Sequence, residues 1–429
     1  MENVNNTPSF NITFHTPFNT YKHTVTQAPH HFYTKSATPT TTATKNNNNI
    51  HREERKTVMK IMCKTSAIVE YSNIAIKAVS NRTTLPILEC VLLIADDDGF
   101  RIVANDLELG IETNQIEAEI IEQGCVALNA RVYMDIIRRL PGEEILVESD
   151  AQDITIIKSN KTEFKIYGHP GDEFPLLPKV EKNTEYAINS VILKNMIKQT
   201  IFSVSNDEYK LAMTGEQFKI KGDSFKLAAV DGFRIALRET TLEENKDGDE
   251  EIIIPAKTLN ELNKVLPSDK DITIYVYITD KHVLFELQEC RIVSRLIEGE
   301  FIKYENFFQN EFKTLVTANK DYLIDSLERA VLISKGPVKI NSVKLKIEND
   351  MIEITSKTEA GVFYDEISVE VDGVDLEIGF NPKYIIDALK AIDEETVILQ
   401  FNTNLTPCII KGQGSDDGRY LVTPLRLLN

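Results

Sequence analysis

No run of about 18 apolar residues occurs in the 429-residue chain, so no segment reads as a membrane-spanning helix. Catalytic signatures are also missing. There is no G-x-x-x-x-G-K-[ST], no H-E-x-x-H, no G-x-S-x-G and no glycine-rich dinucleotide fingerprint, so the sequence gives no reason to expect an enzyme, a metal centre or a cofactor. Histidine is scarce where structure is expected. Of seven, His15, His23, His30, His31 and His51 precede the patterned sequence, leaving His169 and His282 as surface residues rather than ligands. The five cysteines are scattered, odd in number and never spaced C-x-x-C, which fits a reducing, cytoplasmic setting without structural disulfides. Asp96–Gly99 and Ser415–Gly418 lack the late acidic residue of a calcium loop and read as turns between strands. Positive charge is in deficit, with 48 Lys and Arg against 66 Asp and Glu and a net charge of −18. A uniformly basic nucleic-acid coat is therefore excluded. Net charge is silent on distribution, and an acidic exterior with one basic stripe remains open.

What the sequence does contain is a helix written three times. Arg131–Leu140, Lys257–Leu266 and Lys383–Ile392 end 126 residues apart, since 266 − 140 = 126 and 392 − 266 = 126. A period of that length makes each repeat about one domain. In the first copy Val132, Tyr133, Ile136, Ile137 and Leu140 form the apolar face at 100° per residue. Arg131 and Arg138, seven apart, share the opposite face. Lys257 with Lys264 and Lys383 with Lys390 repeat the pair, each with an acid between them: Asp135, Glu261 and Asp387. One such face is an ordinary solvated surface with weak ion pairs. Three in one register point to helices turned toward a common polyanion.

Residues 1–58 are rich in Asn, Thr, His and Pro and show no periodicity. They read as a disordered extension, or as sequence upstream of a start at Met59. From Met59 the chain divides at 59–180, 181–310 and 311–429, with linkers at Pro178–Thr184 and Phe308–Phe312. Each unit reads strand, helix, strands, helix, strands. The first helices fall near Ser66–Ser80, Ser190–Phe202 and Asp321–Ile333. Alternating runs such as Ile154–Lys158, Phe225–Ala229 and Val397–Phe401 supply strands. The fold class is α+β, with two helices on one face of a mostly antiparallel sheet in each unit. The basic helix faces then point away from the sheets on one side.

Six segments in order carry a resemblance: Arg82–Leu88, Asn105–Glu108, Phe202–Val204, Ala229–Ile235, Glu377–Asn381 and Tyr420–Leu427. Over Met59–Leu427 the chain resembles the bacterial DNA polymerase III beta subunits. The resemblance implies three tandem clamp modules per chain and a head-to-tail homodimer closing a ring around duplex DNA. It implies a non-enzymatic processivity factor whose partners, the polymerase catalytic subunit, the clamp loader and repair proteins, dock through short linear motifs. The cations expected on DNA are Arg82, Arg131, Arg138, Lys257, Lys264, Lys383 and Lys390. Carried over residue by residue, the docking pocket would comprise Met213, Val230, Gly232, Phe233, Arg234, Ile235, Phe307, Asn381, Tyr384, Leu405, Pro407, Leu421, Pro424, Leu425 and Arg426. Phe174, Leu332 and Ile333 match apolar positions at the ring joint. Ile302, Asn306 and Thr423 depart from the family pattern near the pocket, and Leu428-Asn429 extend its usual ending. The alternative is a peptide-binding adaptor of the same fold that forms no ring.

Overall fold

A computed structural model describes residues 57–80, 83–244, 249–268, 270–308, 311–333 and 342–427. Residues 1–56, Arg82, Leu428 and Asn429 lie outside them, and the extension expected at 1–58 is therefore reached only at Thr57, where the first strand opens.

Six α-helices stand among the described residues: α1 (Thr65–Ala75), α2 (Ala130–Ile137), α3 (Ser190–Thr200), α4 (Ala256–Val265), α5 (Lys320–Ile333) and α6 (Pro382–Lys390). Asparagine starts four of them, α5 through Asn319, whose side chain accepts from Tyr322 N (3.1 Å). The Asn129 side chain accepts from Val132 N (3.2 Å), Asn189 from Val191 N and Ile192 N (2.9 and 3.1 Å), and Asn381 from Lys383 N (3.1 Å). These bonds satisfy amides that the first turn leaves without partners. A second device recurs at the far ends. Lys194 of α3 donates to Leu266 O just past α4 (2.5 Å), and Lys320 of α5 donates to Ile392 O just past α6 (2.7 Å). A cation there completes the carbonyls and suits the helix dipole. The buried arc of α2 differs from the sequence reading. Tyr133, Ile136 and Ile137 are buried, but Met134 is too, and Val132 is 46 % exposed because it lies in the first turn beside the cap.

Among the described residues the strands form four antiparallel sheets, two of which cross the unit boundaries. One nine-stranded sheet joins units one and two where Leu109–Thr113 pairs with Cys290–Arg295. A second joins units two and three where Arg234–Thr241 pairs with Gly418–Val422. A five-stranded sheet ends on Thr162–Tyr167 and a four-stranded sheet on Gly361–Ser368, each paired on one side only among the described residues.

Alternation gives the joined sheets two buried faces. Phe218, Ile220, Phe225 and Leu227 meet the helices, whereas Val230, Ile235, Ile253 and Leu421 meet Phe301 and Tyr304 of the segment entering unit three. At the first joint the cover is Phe174 and Leu177, packed on Cys90, Leu92, Val103 and Ala127. Gly110 is what makes room there, since a Cβ on it would lie 2.0 Å from Leu177 Cδ2. Phe174 is thus 3 % exposed within its own chain. It belongs to the outer-face core and is not a surface residue of a joint between chains.

One buried group opposes this packing. Glu216 is fully buried on the helix side and accepts one hydrogen bond, from Thr200 Oγ1 at 3.1 Å, while its Oε1 has no partner. Burial holds its carboxyl well above the usual range. A raised folded-state pKa favours folding below the unfolded value and loses that benefit as pH rises through the folded value. Glu216→Gln is therefore expected to stabilise the protein by about 1–3 kcal/mol at pH 8 and by much less at pH 4. Denaturant midpoints at the two values check this; a gap that shrinks as pH rises contradicts it.

Candidate nucleic-acid interface and inter-unit pocket

The repeated cations occupy solvent-facing positions on α2, α4 and α6. Arg131, Arg138, Lys257, Lys264, Lys383 and Lys390 are all exposed, and the seventh, Arg82, lies outside the described residues. Their surroundings divide them. Arg131 and Lys383 form no ion pair among the described residues. Lys264 meets Glu261 on its own helix at 2.7 Å, and Lys390 of α6 meets Glu328 of α5 at 2.6 Å. Arg138 donates to Asn73 of α1. Lys257 reaches across the first joint to Asp106, whose side chain is almost wholly buried and also accepts from Glu108 N and Leu109 N. Lys257 is consequently a joint residue as well as a surface cation. The acid between the first pair, Asp135, is held below the usual carboxylate range by its hydrogen bond from Arg139 and further by Arg131 and Arg138. These are exposed groups, and their mutual attractions are weak and screened by salt.

The fifteen residues expected at the second joint divide into a base, a turn and a rim. Val230, Ile235 and Leu421 are buried in one cluster with Phe301 and Tyr304, so they support the site from beneath. The turn is Asp231–Phe233. Asp231 Oδ1 accepts from Phe233 N (2.8 Å) and Arg234 N (3.0 Å), and Gly232 takes φ +95°, a conformation that favours glycine. The turn leaves the Phe233 ring 55 % exposed and stacked on Tyr384 at 6.2 Å between centroids. The Phe233 carbonyl accepts from both Thr423 N (2.9 Å) and Thr423 Oγ1 (2.8 Å), and Leu425 N donates to Gly379 O (2.8 Å), which fixes the C-terminal segment beside α6. Asn381 is engaged as the α6 cap. Phe307, Leu405 and Arg426 are exposed, while Met213, Pro407, Pro424 and Leu425 are half-buried.

Arg234 departs from the role expected of it. It is only 9 % exposed and fully engaged, with Nε on Asp231 (2.9 Å), Nη1 on Asp387 of α6 (2.6 Å) and Nη2 on Phe202 O (2.6 Å). Its guanidinium also lies 4.6 Å from the Tyr384 ring and 5.2 Å from Phe202. It ties unit two to unit three and holds Tyr384 under Phe233; it is not a free anchor for a ligand. Arg234→Ala leaves two carboxylates without their cation, and a loss of about 3–5 kcal/mol is expected in chemical denaturation. A loss below about 1 kcal/mol would show that the network does not hold the joint.

Sequence reasoning passed over two exposed neighbours. Tyr209 and Leu211 stand out from the short 3₁₀ segment Glu208–Thr214, whose Lys210 ammonium approaches Gly232. Apolar residues in a polar stretch with neither helical nor strand period were the available signal.

Three family models match consecutive parts of the chain. They are the DNA polymerase III beta subunit N-terminal domain at 59–178, central domain at 187–303 and C-terminal domain at 306–426. The beta sliding clamp of Staphylococcus epidermidis is 33 % identical over 378 residues, covering 86 % of this chain and 100 % of that protein. That of Bacillus subtilis is 32 % identical over 378 residues with the same coverage. Among solved structures, a putative DNA polymerase III beta subunit from Eubacterium rectale is 37 % identical with a TM-score of 0.82, covering 86 % of this chain and 99 % of its own. The Bacillus subtilis sliding clamp is 31 % identical with a TM-score of 0.83, covering 86 % and 100 %.

Proposed function

Because the chain belongs to the DNA polymerase III beta subunit family and is a DNA sliding clamp, we propose that two copies close head to tail around duplex DNA and tether replication and repair proteins to it. The observation that carries the ring is the bookkeeping of strands. Both joints inside the chain are antiparallel strand pairs, Leu109–Thr113 with Cys290–Arg295 and Arg234–Thr241 with Gly418–Val422. Thr162–Tyr167 at one end of the five-stranded sheet and Gly361–Ser368 at one end of the four-stranded sheet are each paired on one side only among the described residues. An open edge is a template for another strand, and two copies can pair these two edges reciprocally, which closes the assembly. Phe164 and Tyr167 on one edge, with Val362 and Tyr364 on the other and Leu332 on the adjacent helix, offer the apolar surface such a joint needs.

With the duplex held by topology, the cations have a modest task. Arg131, Arg138, Lys257, Lys264, Lys383 and Lys390 attract phosphates without reading bases, so the protein can slide. Phe233, Tyr384, Phe307 and Leu405 form an apolar docking surface for a leucine or aromatic side chain of a polymerase, clamp-loader or repair-protein segment. A cytoplasmic site of action is consistent with this role. Mass measurement at micromolar concentration tests the assembly. A dimer of the 48.6 kDa chain is expected, and a monomer would favour the ringless adaptor.

A further inference from the structure

We propose that a cavity beside the docking surface takes a positively charged side chain, lysine or arginine, from the docked partner segment. This rests on the docking role of the second joint. The cavity is a space of about 540 Å³ bounded by Gln217, Lys219, Glu251, Ile253 and the turn Gly299–Asn306. It opens on the same sheet face as Val230, Ile235 and Leu421 and shares Ile302 with their cluster, while Asn306 directly precedes Phe307. A segment seated on Phe233 and Phe307 therefore has flanking residues within reach of it.

Its chemistry selects a cation. Gln217 is 3 % exposed; its Nε2 donates to Glu251 Oε1 at 2.7 Å, and its Oε1 has no hydrogen-bond partner. A buried carbonyl oxygen without a partner calls for a donor. Lys219 does not supply it, being engaged by Glu251 (3.4 Å) and Glu305 (3.2 Å). The lining holds Glu251, Glu300 and Glu305 against Lys219 and Lys303, an excess of one negative charge, and Glu300 has no ion pair among the described residues. An ammonium or guanidinium answers both the orphaned oxygen and the charge, whereas a carboxylate answers neither.

The test uses the full-length protein and fluorescent synthetic peptides with a Leu-Phe core, carrying Lys, Ala or Glu at successive positions on either side. At one position the Lys peptide is expected to bind at least about tenfold tighter than the Glu peptide. Gln217→Leu and the surface change Glu300→Gln should each shrink that preference and leave the affinity of the Ala peptide unchanged. Equal binding of Lys and Glu peptides at every position, or a preference untouched by Glu300→Gln, overturns the proposal. Failure of every peptide, the Ala series included, would instead remove the docking role on which it rests.

Discussion

The double substitution Phe164→Asp and Leu332→Asp should yield a folded monomer at micromolar concentration where the native chain is expected to dimerise. Phe164 lies on the open Thr162–Tyr167 edge, and Leu332 on α5 beside the open Gly361–Ser368 edge; both are exposed in the single chain. Their loss therefore costs the isolated fold little. Buried in a joint, each becomes a desolvated carboxylate facing apolar surface. Apolar anchors of interfaces typically contribute about 2–4 kcal/mol each, so the dimer should weaken by about three or more orders of magnitude. Because the proposed ring has two identical joints, both would fail together. Sedimentation at several concentrations gives the answer, with circular dichroism confirming the fold. A dimer of unchanged affinity would mean that the joint lies elsewhere. Ile333 is a weaker choice for this test, being half-buried with its carbonyl already accepting from Thr358 Oγ1 (3.1 Å).

Neutralising the helix cations should reduce the salt dependence of DNA binding unequally. Each phosphate contact on duplex DNA contributes about 0.9 to the slope of log K against log salt. Arg131 and Lys383 form no ion pair among the described residues, so each is expected to remove close to one such unit per engaged phosphate. Lys264, Lys390 and Lys257 would have to leave Glu261, Glu328 and Asp106 to bind phosphate, exchanging one ion pair for another. Their single substitutions should change the slope by well under one unit. Replacing all six by alanine should lower the slope well beyond any single change and remove most affinity at low salt. Linear DNA fragments titrated over a range of salt give these slopes. An unchanged slope in the sixfold variant would detach the helices from DNA altogether.

How much of this was legible beforehand follows from the range of each interaction. The three helices with their seven-residue cation spacing, and the strand alternation of runs such as Ile154–Lys158, are local patterns fixed by 3.6- and 2-residue periods. They emerged within a few residues of their expected bounds. Continuity of the sheets across units was not legible, because Leu109–Thr113 and Cys290–Arg295 lie far apart in sequence and nothing local to either names the other. The same distance hid Lys257 on Asp106 and Arg234 on Asp387, which gives one expected DNA cation a second role at a joint and makes a joint residue of one expected pocket contact. Phe174 misled for a related reason: an apolar residue in a linker reads equally as an interface or as a cover, and the bare Gly110 beneath Leu177 decides for the cover only in three dimensions. Phe233 was legible because the Asp-Gly turn before it forces an exposed position.

Retention on DNA that depends on topology is the central claim, and one measurement reaches it most directly. The protein is loaded onto nicked circular plasmid with its loader, isolated with the DNA, and the plasmid is then cut once. A closed ring stays on the circle through a high-salt wash and runs off the ends after cutting. Protein that remains on the linear product, or that washes equally from circle and line, would contradict encirclement.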